Sequence, residues 1–362
     1  YYDKGMRVPD DVILLLCDDN WGNIRKLPKL NEKPHPGGYG VYYHFDYVGD
    51  PRNYKWLNTN QISRVWEQMK LAYEYGVDKI WIVNVGDIKP MEFPIHFFLT
   101  LAWNPDKINA EDLLPFSIHW AEKQFGKKYA KDIAEIINDY TRFNSRRKPE
   151  LLSPNTYSLI HFREFEKVVD DYNKLLLKAE KINKLIPEEY KSSYFQLVLH
   201  PVKACANLNE MYYWTGKNRL YAKQGRIKTN KIADLVDKLF KKDNEISYYY
   251  NKVLSNGKWN HLMDQTHISY SYWQQPEKDT VPKTEKIKII KKSEMGVAVE
   301  GSDKALKDNN DQGYLPEFDE FNNPKYYIEI FNLGTLPFNY KVVPENACVV
   351  IDKPKGKVID EK

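Results

Sequence analysis

Only three of the 362 residues are cysteine, and Cys17, Cys205 and Cys348 lie far apart. No Cys-x-x-Cys pair and no Cys/His spacing completes a ligand set, so no metal and no cofactor is implied. Cysteine this sparse does not fix a compartment. Long apolar runs are also missing. None approaches the ~20 residues that cross a bilayer, so no membrane span is expected. Nor is there an excess of one charge. Fifty-four Lys and Arg stand against 50 Asp and Glu, a formal net charge of +4, with the lysines spread among the acids. That gives no basis for a nucleic-acid partner. There is no internal repeat, no low-complexity segment and no initiator methionine. The chain opens on "YYDKG", which reads as the last turn of a helix capped by Gly5. A missing leader therefore carries no information.

What is abundant is aromatic: 14% of residues, with 27 Tyr and 9 Trp. Such rings fill large cores. Flat rings also cover the apolar faces of sugars, and composition leaves both uses open.

Three textures follow one another along the chain. In the first, "DVILLLC" (11–17) is a continuous apolar run, the pattern of a strand buried on both faces, with Cys17 as a small buried hydrophobe. "VYYHFDYV" (41–48) is a second strand. Asn58 or Thr59 can cap a helix through Ile62, Val65, Trp66, Met69 and Tyr73 that Gly76 stops. "DKIWIVNV" (78–85) is a third strand. Strand, helix and strand with short loops make a βαβ unit. The second texture, 109–285, holds five long amphipathic patterns, the fourth kinked at Pro201, which together predict a helical bundle. The third, 286–362, begins within "KTEKIKIIKKSEMGVAVEGSDKAL" and continues in "KYYIEIFNLGTLPFNYKVV". Both alternate like antiparallel strands and suggest the start of a β-sandwich-like domain.

In parallel α/β sheets, chemistry sits at the carboxyl ends of strands. Three such ends are polar: Asp18, Asp19 and Asn20; His44, Asp46 and Tyr47; and Asn84, followed by Asp87 and Lys89. If the first strand stays extended, alternation points Asp18 and Asn20 one way and Asp19 the other. Each residue alone is equally well a turn former. Three polar strand ends together suit a substrate with many hydroxyls. Asp18 could act as a base on water, with Asn20 and Asn84 holding that water or a hydroxyl. Arg25 and Lys89 could grip a carboxylate, although ordinary surface charge is the better reading of Lys89. A further segment, "GKWNHLMDQTHISYSYWQQP" (257–276), reads as an aromatic loop packing between domains. Its His261 and His267 are six apart, which is not a helical zinc spacing.

These stretches, together with "YYDKGMRVPDDVILLLCDDNWGNIRKLP", "GGYGVYYHFDYVGDPRNYKWLNT" and "WIVNVGDIKPMEFPIHFFLTLAWNP", resemble glycoside hydrolase family 115, the xylan α-1,2-glucuronidases. The resemblance implies a fold for each texture: the C-terminal part of a TIM-like (β/α)8 barrel (1–108), a five-helix bundle (109–285) and a partial antiparallel β-domain (286–362). It implies hydrolysis of α-1,2-linked (4-O-methyl)-glucuronic acid side groups from glucuronoxylan, with inversion and without a metal. Carried over residue by residue, Asp18, Asn20 and Asn84 fall on active-site positions, and His44 and Tyr47 on substrate-contacting ones. Trp21 and Arg25 join the candidate substrate-binding set. A secreted or periplasmic location and a homodimer fit the same resemblance. Two competing readings are a noncatalytic xylan-binding protein and a helical interaction protein whose strand ends are mere turns.

An inverting glycosidase needs two carboxyl groups about 6.5–9.5 Å apart. The resemblance places further acids upstream, including a glutamate just before "YYDKG". The chain thus reads as an internal fragment with three of eight barrel strands, lacking the N-terminal domain and the first half of the barrel. The expectation is that residues 1–362 alone release no glucuronic acid from glucuronoxylan. Robust release in a reducing-sugar assay would contradict it.

Overall fold

The computed structural model describes residues 4–31, 33–308, 310–346 and 348–361. The expected helical turn at "YYDKG" lies largely outside these residues, although Gly5 does adopt a left-handed φ of 96°. The chain forms two compact units. One comprises 1–151, 172–205 and 245–279; the other comprises 152–171, 206–244 and 280–362.

In the first unit, strands β1 (Leu14–Cys17), β2 (Tyr39–His44) and β3 (Ile80–Asn84) form a parallel sheet in the order β1-β2-β3. Helix α1 (Ile62–Glu74) connects β2 to β3, and α2 (Glu92–Trp103) follows. The βαβ unit read from the sequence is therefore present. Helix α1 starts at Gln61 with no side-chain cap. Asn58 instead accepts the Asn60 amide (3.0 Å), and Thr59 is buried beneath Lys148. Gly76, at φ 81°, ends the helix as expected.

One face of the sheet is packed. Val41, Tyr43 and Phe45 are at most 2% exposed. Phe98 of α2 meets both Phe45 and Trp81, and Tyr73 of α1 meets Trp81. The other face is open: Leu15 is 48%, Ile80 42% and Ile82 40% exposed, and Cys17 is exposed beside them. The reading of "ILLLC" as buried on both faces, with Cys17 as a core residue, is thus corrected. Alternation sends Leu14 and Leu16 toward the helices and Leu15 and Cys17 to the open face.

The five helical patterns appear as α3 (Leu113–Phe125), α4 (Ala130–Asn144), α5 (Glu164–Leu185), the run α6 (Glu188–Tyr194) to α7 (His200–Gln224), and α8 (Thr229–Tyr248). A π-helical turn, Phe195–Leu199, joins α6 to α7 just before Pro201. Pro201 has no N–H for the regular ladder, and a widened turn absorbs the loss. Among the described residues, no helix is long and apolar enough to cross a membrane.

The second unit holds two antiparallel pairs, β4 (Met295–Val299) with β5 (Ile328–Asn332) and β6 (Phe338–Lys341) with β7 (Lys355–Val358). The alternating stretch 283–292 is not a strand. Its backbone is read by helix side chains instead. Asn218 exchanges two hydrogen bonds with Glu285 (2.7 and 3.0 Å), and Asn230 two with Ile287 (2.9 and 3.0 Å). Two asparagine amides take the place of a neighbouring strand.

Arg226 organises this unit. It is 1% exposed and lies between the rings of Tyr221 (4.1 Å) and Phe331 (3.9 Å). Its guanidinium donates to Gln224 (2.6 Å), Glu329 (2.5 Å) and Glu361 (3.3 Å). Burial alone would raise the Glu329 carboxyl pKa, but Lys217 and Arg226 outweigh it and hold the pKa low. Breaking a buried pair strands the remaining charge. Arg226→Ala should therefore cost about 3–5 kcal/mol in urea unfolding. A loss under about 1 kcal/mol, within the range of an exposed pair, would contradict this assignment.

Candidate active site at the strand ends

The carboxyl ends of β1, β2 and β3 bring together most of the residues singled out in the sequence. Chain extension does not continue past Cys17. Asn20 adopts a left-handed φ of 66°, Gly22 one of 78°, and Asp18 bridges back to Ile24. The segment 18–24 is a closed turn, so alternation no longer decides where Asp18 and Asn20 point.

Asp18 builds that turn from inside. Its Oδ1 accepts the Asn20 amide (3.0 Å) and His44 Nδ1 (2.6 Å). Its Oδ2 accepts the amides of Gly22 (3.0 Å) and His44 (3.2 Å). The Asp18 side chain has no exposed surface. The expectation that Asp18 faces substrate and activates water is therefore corrected for this geometry: its lone pairs are occupied by four donors. Its geometric role is to hold His44. A carboxylate only accepts, so Nδ1 of His44 carries the proton and, in the neutral ring, Nε2 keeps its lone pair. The imidazole is further held between the rings of Tyr42 (5.0 Å) and Tyr47 (5.5 Å), both near perpendicular. A buried Asp–His pair with a fixed tautomer supports acid–base or hydrogen-bond work.

Asp19 also serves the turn. It accepts the amides of Trp21 (3.0 Å) and Asn23 (3.1 Å) and pairs with Arg25 Nε (2.8 Å). Burial would raise its pKa, but hydrogen bonds from Asn23 and Trp21 and the Arg25 charge outweigh it and lower it. Arg25 itself is mostly exposed, with Nε committed to Asp19. Trp21 packs on Tyr54, ring centroids 4.9 Å apart. Tyr54 donates to the Asn20 carbonyl (2.6 Å), and its backbone pairs with that of Tyr47. Tyr54 thus ties the β1 turn to the segment after β2.

Asn84 lies directly opposite His44 in the sheet register. Its amide donates to the Asp46 carbonyl (3.0 Å), and its oxygen accepts the Gly86 amide (3.2 Å). Asp46 is a site group whose role the sequence did not disclose. It is 4% exposed, and its Oδ1 has no hydrogen-bond partner among the described residues. Burial raises its pKa, against the lowering pull of His44 and Lys55. Gly86 sits over the Asp46 carboxylate at φ 61°, where a Cβ would collide with Oδ2. Its lack of a side chain is required twice over.

Lys89 is not brought to this rim. It pairs with Glu92 (2.6 Å) and lies over Trp259 (4.4 Å), its side chain only 20% exposed, so it is not ordinary surface charge. The loop 257–276 packs through His267, stacked on Trp56 at 3.6 Å. Glu150 was missed entirely. It is 3% exposed and accepts the amides of Lys55 (2.7 Å) and Trp56 (2.8 Å), fixing the segment that presents Tyr54. It lies about a hundred residues from its partners, and no local pattern announces it.

With this geometry established, comparison assigns the class. Residues 1–151 match the family model of glycosyl hydrolase family 115. That span contains every candidate rim residue named above, so the resemblance to family 115 holds over residues 1–151. A solved structure, BtGH115A, described as a family GH115 4-O-methyl-alpha-glucuronidase with specificity for decorated arabinogalactans, resembles the chain with a TM-score of 0.64 and 33% identity. The match covers 80% of this chain and 39% of BtGH115A, so the chain spans about two fifths of that protein's length. No curated protein matches the chain.

The raised Asp46 pKa carries a sign. The native state holds this proton to higher pH than the unfolded chain, so Asp46 lowers stability as pH rises from the ordinary carboxylate range through the raised value. Asp46→Asn should therefore gain stability over wild type by more near pH 7 than near pH 4. Thermal melts at both pH values test this. An equal or reversed gap would contradict it.

Proposed function

We propose that this chain is part of a glycoside hydrolase that removes (4-O-methyl)-glucuronic acid side groups from a plant polysaccharide. The observation that carries the reading is the Asp18–His44 pair at 2.6 Å, buried at the strand ends beside Asn84 and inside the family-matched span. His44 offers Nε2 to a substrate hydroxyl or water. Asn84 holds the neighbouring position, and Tyr47 and Trp21 supply rings for the sugar face. Asp18 acts as a positioning residue.

The finer reading is α-1,2 linkage to xylan with inversion, as the resemblance implies. The arabinogalactan specificity of BtGH115A makes decorated arabinogalactan the substrate to compare against it. Inversion needs an acid and a base about 6.5–9.5 Å apart. Asp18 is locked and Asp46 is buried, which leaves Asp87 as the exposed acid after β3, so we assign at least one of that pair to other strand ends of the whole enzyme. The open sheet face supports the same view. His44 pairs with Asn84 and, two residues back on the same face, Tyr42 pairs with Ile82, as they would in the interior of a TIM-like barrel.

A noncatalytic sugar-binding role has one observation in its favour: of the strand-end acids, Asp18 and Asp46 are buried and Asp19 is paired with Arg25, which leaves Asp87 exposed after β3. Turnover separates the two readings. In the full-length enzyme, His44→Ala and Asn84→Ala should each lower kcat/KM for 4-O-methyl-glucuronic acid release by about 10²-fold or more, with melting temperature within a few degrees of wild type. Wild-type turnover in both variants would overturn the assignment.

A further inference from the structure

Lys148 carries an amine that the rim chemistry does not use. It borders a cavity of about 460 Å3 in the first unit, and its place there is fixed. Its Nζ donates to the Thr59 hydroxyl (2.7 Å) and lies 4.1 Å from the Tyr54 ring centre. Thr59 and Tyr54 line the same cavity, so the amine stands at its wall.

The surroundings work against an ammonium there. Burial lowers the Lys148 pKa to about 8, against the raising effect of Glu150. Roughly a tenth of the amine is then neutral at pH 7. Glu150 is an incomplete countercharge, because its Oε1 is committed to the backbone amides of Lys55 (2.7 Å) and Trp56 (2.8 Å). The charged lining is of one sign: Arg64, Arg146 and Arg147 share the cavity with Lys148, and among the described residues no carboxylate lines it.

A neutral lysine amine facing a cavity is a nucleophile, and this cavity suits an anion. Arg147 commits only Nε, to the Leu151 carbonyl (3.2 Å), which leaves its Nη fork uncommitted among the described residues. Such a fork matches a planar carboxylate at two points. The Thr59 hydroxyl can rotate to donate. Arg64 is engaged by Glu67 and Asn23 and adds its charge alone. We propose that Lys148 is a carbamylation site, where the amine adds carbon dioxide and the guanidinium groups of the cavity hold the carbamate. The Nζ lone pair forms an N–C bond to the carbon of carbon dioxide. One C–O π pair moves onto oxygen, and the nitrogen releases a proton to water. Nothing is oxidised or reduced. The side chain changes from cation to anion, and the positive excess around the cavity falls. The change also takes the ammonium from the ring of Tyr54, whose hydroxyl holds the Asn20 carbonyl, and so reaches the turn after β1. The inference does not need the hydrolase reading, because it concerns a covalent adduct alone.

Trapping in the full-length protein tests it. The protein is equilibrated with carbon-13 bicarbonate and dissolved carbon dioxide, alkylated with triethyloxonium to fix any carbamate as its ethyl ester, and digested for mass spectrometry. The labelled ester should appear on Lys148, rise to saturation with carbon dioxide, and exceed that on exposed lysines such as Lys278 and Lys304. Arg147→Ala should lower the carbamate formation constant roughly tenfold, as loss of a charge-assisted hydrogen bond does. Carbon-13 NMR of the untrapped protein gives a second reading: a carbamate resonance distinct from bicarbonate, lost in Lys148→Arg, which keeps the positive charge. That reading keeps the test valid if Arg147→Ala folds poorly. A Lys148 peptide without label, occupancy no higher than on the exposed lysines, a carbamate resonance that survives Lys148→Arg unchanged, or indifference to Arg147→Ala in a folded variant would each overturn the proposal.

Discussion

A carboxylate buried at the end of a strand must fill its lone pairs or leave charge stranded in a poorly solvated place. At Asp18 four donors do so: two amides of its own turn and the amide and imidazole of His44. One side chain thereby fixes the turn after β1, the end of β2 and the tautomer of the histidine. The rest of the rim builds outward from it. The Asn20 carbonyl, set by that turn, receives Tyr54, and Tyr54 carries the Trp21 ring on one side and the Lys148 ammonium on the other. Glu150 secures the same segment through two further amides.

The sheet divides its labour by face. Tyr43 and Phe45 pack inward against the helices, while Tyr42 and His44 belong to the open side with Ile82 and Asn84. The period of two that buries the core also delivers His44 to the rim. In the second unit the same physics recurs with the opposite sign, since a buried guanidinium, Arg226, is satisfied by glutamates and aromatic faces.

Much of this was legible in the sequence. The parallel βαβ order, the five helical patterns and the polar strand ends are all signalled by periodicity and by what ends each run. The aim of Asp18 was not, because alternation holds only while the chain stays extended, and Asn20 at φ 66° ends that. The stretch 283–292 alternates like a strand, yet its amides are taken by Asn218 and Asn230 from a helix. Period alone cannot tell a sheet partner from an asparagine amide. The open face of β1 was hidden for a similar reason, since a run of leucines reads the same whether one side or two are covered. Asp46 was visible as a polar strand end, but its burial comes from the surrounding fold. Glu150 and Lys148 reach the site across about ninety residues of chain.

The central claim is that Asp18 sets the protonation geometry of His44. Nitrogen-15 NMR of the labelled imidazole, in wild type and in Asp18→Asn, tests it most directly. The account predicts that the neutral ring of wild type carries its proton on Nδ1 and leaves Nε2 unprotonated, and that Asp18→Asn loses this preference. An Nε2-protonated ring in wild type, or an unchanged tautomer in the variant, would contradict it.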